Sequence, residues 1–138
     1  MNVFTYGSLM FPAVWTRVTG LEAAGAPARL AEHAARRLLG FSYPALIESR
    51  GAETRGVLYQ NITAEALARL DTFEGTYYDR VMVTVPAADG AATSAWVYRA
   101  ARADDPAILT EEWDAADFEQ NHLEAFLSAD PGFSEAGR

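Results

Sequence analysis

The feature that most constrains the fold is a pair of strand-like runs joined by a tight turn. Residues 77–85 (YYDRVMVTV) and 93–100 (TSAWVYRA) are rich in β-branched and aromatic side chains. Asp89-Gly90 lies between them and is a strong hairpin signal. Residues 2–6 and 54–60 also have strand character. We therefore predict a mainly antiparallel sheet, a kind that can close into a barrel, with helices packed against it.

Other segments carry helix signals. Pro12 suits the first turn of a short helix, because proline there forfeits only an N–H donor that has no helical partner. Thr63 can cap a helix that stops near Gly75. Propensity alone also favours a helix in the Ala- and Arg-rich segment before Gly40. The predicted helices are 12–18, 28–39, 63–74 and 114–129, the last of them ended by Asp130-Pro131.

Length and composition narrow the classes of function. A chain of 138 residues, 50% of them hydrophobic, suits a single domain over residues 1–138. The balance of 11 basic and 19 acidic residues gives a formal charge of -8, which argues against a nucleic-acid partner. No run approaches the roughly 18 apolar residues of a membrane span, and the N-terminus lacks a signal peptide pattern. We expect a soluble, cytoplasmic protein without a membrane partner, and a monomer by default because no heptad or apolar patch is visible.

The residue inventory also excludes several kinds of chemistry. Without cysteine, the chain has no thiolate nucleophile, no disulfide and no cysteine metal site. The two histidines, His33 and His122, are not at zinc-ligand spacing, and neither a P-loop nor a dinucleotide fingerprint occurs. Ser8 lacks the G-x-S-x-G context of a nucleophile elbow, although catalytic triads are defined by geometry rather than by motif. An amide or ester hydrolase using Ser8 therefore stays open as an alternative.

Two short stretches have the features of a site. In FTYGSLM (4–10), Gly7 ends the first strand and leaves bare backbone, and the N–H groups of this turn and of the helix after it suit a carboxylate or an oxyanion. In LDTFEGTYYDR (70–80), Glu74 lies at the negative end of a helix among aromatic residues, and both influences raise the pKa of a carboxyl group. Such a carboxyl group can act as a general acid and base. The alternative is that Glu74 is an exposed residue in a helix-ending turn.

Together these stretches resemble the γ-glutamylcyclotransferase-like superfamily, most of all its branch of plant avirulence-induced-gene-like proteins and γ-glutamylamine cyclotransferases. The resemblance rests on five motifs in the expected order, which are VFTYGSLM (3–10), YPAL (43–46), RGVLY (55–59), LDTFEGTYYDR (70–80) and WDAADF (113–118). It implies an α+β fold, a small mixed, mainly antiparallel β-barrel with flanking helices, and neither metal nor cofactor. It also implies that part of residues 28–39 is a strand, and we prefer this to the helix because tertiary context often overrides propensity.

The resemblance further implies an enzyme that acts on a small-molecule γ-glutamyl substrate. The substrate's α-amine would attack its own γ-carbonyl, releasing 5-oxoproline and an amine, with Glu74 as general acid and base. Tyr78 is also expected to bind substrate and to hydrogen-bond near Glu74. The residues expected to bind substrate through the backbone are Tyr6, Gly7, Ser8 and Leu9.

Some assignments stay open at this level. Arg80 fits a structural ion pair as well as a substrate contact, and Tyr43, which precedes a proline, fits the rim of a pocket as well as an extended connector. A member of the same fold that binds a γ-glutamyl ligand without catalysis is a further alternative, because fold does not fix function. Nothing in the sequence identifies the amine leaving group.

Overall fold

The computed structural model describes residues 1–128. Within this range the chain forms six strands and four α-helices. The strands are β1 (Val3–Thr5), β2 (Ala26–Leu38), β3 (Pro44–Tyr59), β4 (Tyr78–Pro86), β5 (Ala92–Ala100) and β6 (Ile108–Glu112). The helices are α1 (Pro12–Thr19), α2 (Ala64–Glu74), α3 (Ala115–Asn121) and α4 (Leu123–Leu127), and short 3-10 turns span Ser8–Met10 and Gly75–Tyr77.

The strands form a single curled sheet in the order β4-β5-β1-β3-β2-β6. Every pairing is antiparallel except the parallel contact between β1 and β5. Strands β2 and β4 are separated by three strands in this order and still contact each other, so the sheet curls into a half-barrel. The predicted α+β fold class, mixed and mainly antiparallel with flanking helices, is confirmed. Within residues 1–128, no helix is long and apolar enough to cross a membrane.

The predicted hairpin is present as β4 and β5, paired from Tyr78 opposite Ala100 to Pro86 opposite Ala92. Its turn closes with a hydrogen bond from the Gly90 N–H to the Ala87 carbonyl of 2.8 Å. The strand predicted at 54–60 is also present, but as the end of the much longer β3. The β-branched residues and the Asp-Gly turn therefore predicted where these strands lie, but not the residues at which β3 begins and ends.

The helix suggested by the propensity of residues 28–39 is wrong, and the strand implied by the resemblance is correct. Residues of this segment pair with β3 on one edge and with β6 on the other, and these long-range hydrogen bonds override the helical preference of alanine and arginine. The strand is bent rather than regular, because its register with β3 shifts between Ala31 and His33, where Glu32 has a φ of 61°.

The other predicted helices hold, with one correction. Helix α1 begins at Pro12, and the Thr63 side chain caps α2 by accepting a hydrogen bond of 3.1 Å from the Ala66 N–H. The single helix expected from Asp114 onward is instead two helices, broken at His122, where φ is -130°. The expected end at Asp130-Pro131 lies outside the described residues.

Candidate active site

A cleft lies where β1 ends beside the C-terminus of α2, and its volume is about 340 Å³ including space open to solvent. The cleft is lined by every residue that the sequence nominated, which are Tyr6, Gly7, Ser8, Leu9, Glu74 and Tyr78. The remaining lining residues are Phe4, Thr5, Tyr43, Pro44 and Tyr98. The fold therefore brings together two motifs that are far apart in the sequence, and Tyr43 joins them on the wall.

The turn after β1 presents backbone to the cleft. Its 3-10 turn is closed by hydrogen bonds from Met10 N–H to the Gly7 carbonyl and from Phe11 N–H to the Ser8 carbonyl, at 3.0 and 3.1 Å. The first N–H groups of a helical turn have no partner within it. No backbone carbonyl in residues 1–128 accepts from the N–H groups of Ser8 or Leu9. The turn thus supplies two backbone donors at the wall of the cleft.

Gly7 allows this wall to be close-packed. A Cβ atom built on Gly7 would lie 3.0 Å from the side chain of Pro44, which lines the same cleft. Its φ is -120°, so the requirement for glycine is close approach rather than a left-handed backbone.

Glu74 is the last residue of α2, and its side chain belongs to the cleft. The residue is 8% exposed, so the alternative of an exposed turn residue is wrong. The helix that carries Glu74 directs the negative end of its dipole toward this position. Burial and the dipole both favour the neutral carboxyl, and the raised pKa expected from sequence stays a prediction.

Three tyrosines pack around Glu74, and their phenol groups are fixed by hydrogen bonds. Tyr78 donates to the Pro44 carbonyl at 2.7 Å, and Tyr6 donates to the Tyr98 carbonyl. Tyr98 itself donates to Oδ1 of Asp71 at 2.7 Å. Burial raises the pKa of the Tyr98 phenol, and the hydrogen bond to Asp71 and the negative charges of Asp71 and Glu74 raise it further. The Glu74 carboxylate is therefore close enough to Tyr98 to act on its phenol.

Asp71 and Tyr98 are the two residues of this network that the sequence did not reveal. Asp71 lies one helical turn before Glu74, a spacing that places both on one face of α2. That spacing was the available signal for Asp71. Arg80 lies 3.1 Å from Asp71 through its Nε and stacks over the Trp96 ring at 4.3 Å. Arg80 is thus a structural ion-pair partner and does not line the cleft.

The histidines lie away from Ser8. His33 is 2.9 Å from the Ala31 carbonyl through Nδ1 and 3.4 Å from Arg99 through Nε2, and His122 is 3.5 Å from Asp117. Neither histidine lines the cleft. Of the described residues, none of those that line it is an arginine, lysine or histidine. Nor does any group of three or more His, Cys, Asp or Glu side chains that could hold a metal ion occur in residues 1–128.

Comparison with known sequences gives consistent matches over most of the chain. The sequence model of the family described as gamma-glutamyl cyclotransferase, AIG2-like, matches residues 3–115. Protein AIG2 C of Arabidopsis thaliana is 31% identical over 131 residues, which cover 91% of this chain and 76% of that protein. AIG2-like protein D of the same plant is 33% identical over 138 residues, which cover 97% of this chain and 89% of that protein.

Comparison with solved structures gives the same fold. A solution structure of an Arabidopsis thaliana protein, 30% identical, matches with a TM-score of 0.73 over 92% of this chain and 77% of that one. A structure named gamma-glutamyl cyclotransferase, 20% identical, matches with a TM-score of 0.63 over 74% of this chain and 67% of that one. At that identity the second likeness shows the fold alone.

Proposed function

The chain belongs to the gamma-glutamyl cyclotransferase, AIG2-like family, and from this premise we propose that it converts a γ-glutamyl amine or γ-glutamyl amino acid to 5-oxoproline and a free amine. One observation carries the proposal: Glu74 and the Tyr6–Leu9 backbone turn line the same small cleft. A buried carboxyl group beside unpaired backbone donors is the combination that this reaction requires.

The reaction needs no nucleophile from the protein. The nitrogen of the substrate's α-amine attacks the γ-carbonyl carbon, a C–N bond closes a five-membered lactam, and the bond from that carbon to the leaving amine breaks. A cleft that holds the γ-glutamyl arm folded supplies proximity, which for well-oriented intramolecular reactions is worth about 7 to 11 kcal/mol. This route suits a chain that has no cysteine.

Glu74 is proposed to move the protons. As a carboxylate it accepts a proton from the substrate's α-ammonium, which frees the lone pair that attacks. As the carboxylic acid it then delivers that proton to the departing nitrogen as the C–N bond breaks. The second proton that the attacking nitrogen loses as the lactam forms passes through the same carboxylate to the released amine, which leaves as its ammonium ion, so the carboxylate is restored after each turnover. A carboxyl group whose pKa lies near the operating pH performs both steps best. Glu74 is buried at the end of a helix, and burial and the helix dipole both favour the neutral form of a carboxyl group.

The turn is proposed to bind the negative charges of the substrate. Because no cationic side chain in the described chain lines the cleft, the N–H groups of Ser8 and Leu9 are the donors offered to an α-carboxylate or to the oxyanion that forms on the γ-carbonyl. Loss of one such donor typically costs about 3 to 4 kcal/mol in transition-state stabilisation. Since these donors are backbone groups, Ser8→Ala leaves them in place.

Release of 5-oxoproline from a panel of γ-glutamyl amines and γ-glutamyl amino acids tests the proposal. We expect turnover by the wild type and a loss of about 10²-fold or more in Glu74→Gln, with unchanged thermal unfolding. Ser8→Ala should stay within a few-fold of wild type. A large loss of turnover in Ser8→Ala would instead favour a hydrolase that uses Ser8 as nucleophile. The structure argues against that alternative, because both histidines contact other residues.

A panel without turnover would contradict catalysis. If calorimetry with the same compounds still detected binding, the non-catalytic ligand-binding protein would be the better description. If it detected none, the proposal would fail for both the reaction and the ligand.

A further inference from the structure

The turn that lines the candidate active site also lines a second, larger cleft. This second cleft has a volume of about 1030 Å³ including space open to solvent, and Tyr6 lines both clefts. Met10, from the same turn, lines the second cleft, and Arg55 contributes from β3 and Trp113 from the chain after β6. Tyr6 is thus the residue that the linings of the two clefts have in common.

Trp113, in the lining of the second cleft, is held in place by two hydrogen bonds. The Trp113 indole donates from Nε1 to the Ser42 carbonyl at 2.7 Å, and its backbone N–H donates to the Ala35 carbonyl at 3.0 Å. Ala34, Ala35 and Ala52 supply small side chains around it. A surface of this kind packs against methylene groups.

Arg55 is the cation that lies nearest in register to the Tyr6–Leu9 turn. Thr5 pairs with Val57, and Arg55 lies two residues before Val57 on β3, which is the direction in which the turn leaves the end of β1. The two segments are in close contact at this point, because a Cβ built on Gly56 would lie 2.0 Å from the Thr5 carbonyl oxygen.

The Arg55 guanidinium is also uncommitted. Among residues 1–128 it forms no ion pair, whereas the adjacent Glu53 is held by Arg29 at 3.2 Å. Arg36 adds a second positive charge to the cleft while it donates to the Thr110 carbonyl at 2.9 Å. Glu112, the other acidic residue of the lining, is on β6, two strands and therefore about 10 Å from β3. The lining of the second cleft thus carries two arginines and two glutamates, and Arg55 is its arginine on β3, the strand that pairs with β1.

We propose that the second cleft receives the leaving amine of the substrate and that Arg55 selects leaving amines that carry a carboxylate. The preferred substrate class is then a γ-glutamyl amino acid rather than a γ-glutamyl alkylamine. This inference rests on the proposed function, and it adds to it the chemical class of the leaving group. A guanidinium binds a carboxylate through two parallel hydrogen bonds, which gives orientation as well as affinity.

Two matched pairs of substrates test the inference. Within each pair the leaving amines have the same length and differ only in a carboxylate in place of a methyl group: γ-glutamyl-glycine against γ-glutamyl-ethylamine, and γ-glutamyl-6-aminohexanoate against γ-glutamyl-hexylamine. The measurement is kcat/KM for 5-oxoproline release. We expect the carboxylate member to be preferred by about tenfold in at least one pair, which corresponds to about 1.4 kcal/mol.

Arg55→Gln should bring that ratio close to one, and Arg55→Glu should reverse it. Arg50→Gln is the matched control, because Arg50 is also an exposed arginine of β3 but does not line the cleft; it should retain the wild-type ratio. Equal kcat/KM within both pairs would overturn the inference, and so would a preference that persists in both Arg55 variants. In either case, turnover of the γ-glutamyl alkylamines would still support the proposed function. An absence of turnover with all four substrates would overturn both.

Discussion

Gly56→Ala should damage both the stability and the activity of the protein for a purely steric reason. The added methyl group would lie 2.0 Å from the Thr5 carbonyl oxygen and 2.6 Å from the Phe4 ring. Carbon and carbonyl oxygen atoms in sheets approach to about 3.3 Å, so β1 must move away from β3 by roughly 1.3 Å. Thr5 leads directly into the Tyr6–Leu9 turn, and the displacement therefore moves the wall of the candidate active site.

The expected loss of stability follows from the contacts that the displacement of β1 breaks. Strand β1 is short, pairing with β3 only through Val3, Phe4 and Thr5. Overpacking of a close contact costs about 1 to 3 kcal/mol, and each backbone hydrogen bond stretched beyond bonding distance costs about 1 kcal/mol more. We expect a loss of about 3 kcal/mol in the free energy of unfolding, or about 10 °C in Tm.

Urea denaturation measures the free energy of unfolding and the 5-oxoproline assay measures the activity, with Gly90→Ala as the control for both. Gly90 has a φ of 85° and open space where a Cβ would be placed, so its substitution should cost only the strain of a left-handed alanine, about 1 kcal/mol. The Gly90 variant should also keep full activity, because the β4–β5 turn is remote from the cleft lining. Equal stability of the two variants, or an active Gly56→Ala protein, would refute the steric argument.

Two further predictions concern tyrosines. Asp71→Asn should lower the pH at which the Tyr98 phenol ionises, because the substitution removes the carboxylate that accepts its hydrogen bond; ultraviolet titration against Tyr98→Phe measures this, and an unchanged titration would contradict it. Burial raises the pKa of Tyr59 from 10.0 to about 12, so its contribution to stability is complete below pH 10 and is lost as the pH rises through about 12. The free energy of unfolding should accordingly fall less steeply over that range in Tyr59→Phe, and parallel curves for the two proteins would argue against this assignment.

The parts of the fold that could be predicted are those specified by neighbouring residues. The β4–β5 hairpin follows from the Asp89-Gly90 turn, and the start of α2 follows from the Thr63 cap. Strand β2 could not be derived in this way. Its residues prefer a helix, and only pairing with β3 and β6, which are distant in sequence, makes them extended.

The same distinction applies to the candidate site. Gly7 and Glu74 could be nominated because each lies at a recognisable local transition, from strand to turn and from helix to turn. Tyr98 could not, because it meets Asp71 only after the hairpin packs against α2, and the one signal for Asp71 was its spacing of one helical turn from Glu74. The register that brings the part of β3 before Val57 to the end of β1 is likewise a property of the β1–β3 pairing and not of either segment alone.

The central claim is that the substrate supplies its own nucleophile while Glu74 moves the protons. The most direct measurement is to compare products from a γ-glutamyl amino acid and from the same compound with its α-amine acetylated. We predict that the free amine gives 5-oxoproline and the released amino acid in equal amounts with no glutamate, and that the acetylated compound is not cleaved. Cleavage of the acetylated compound, or release of glutamate in place of 5-oxoproline, would contradict the claim.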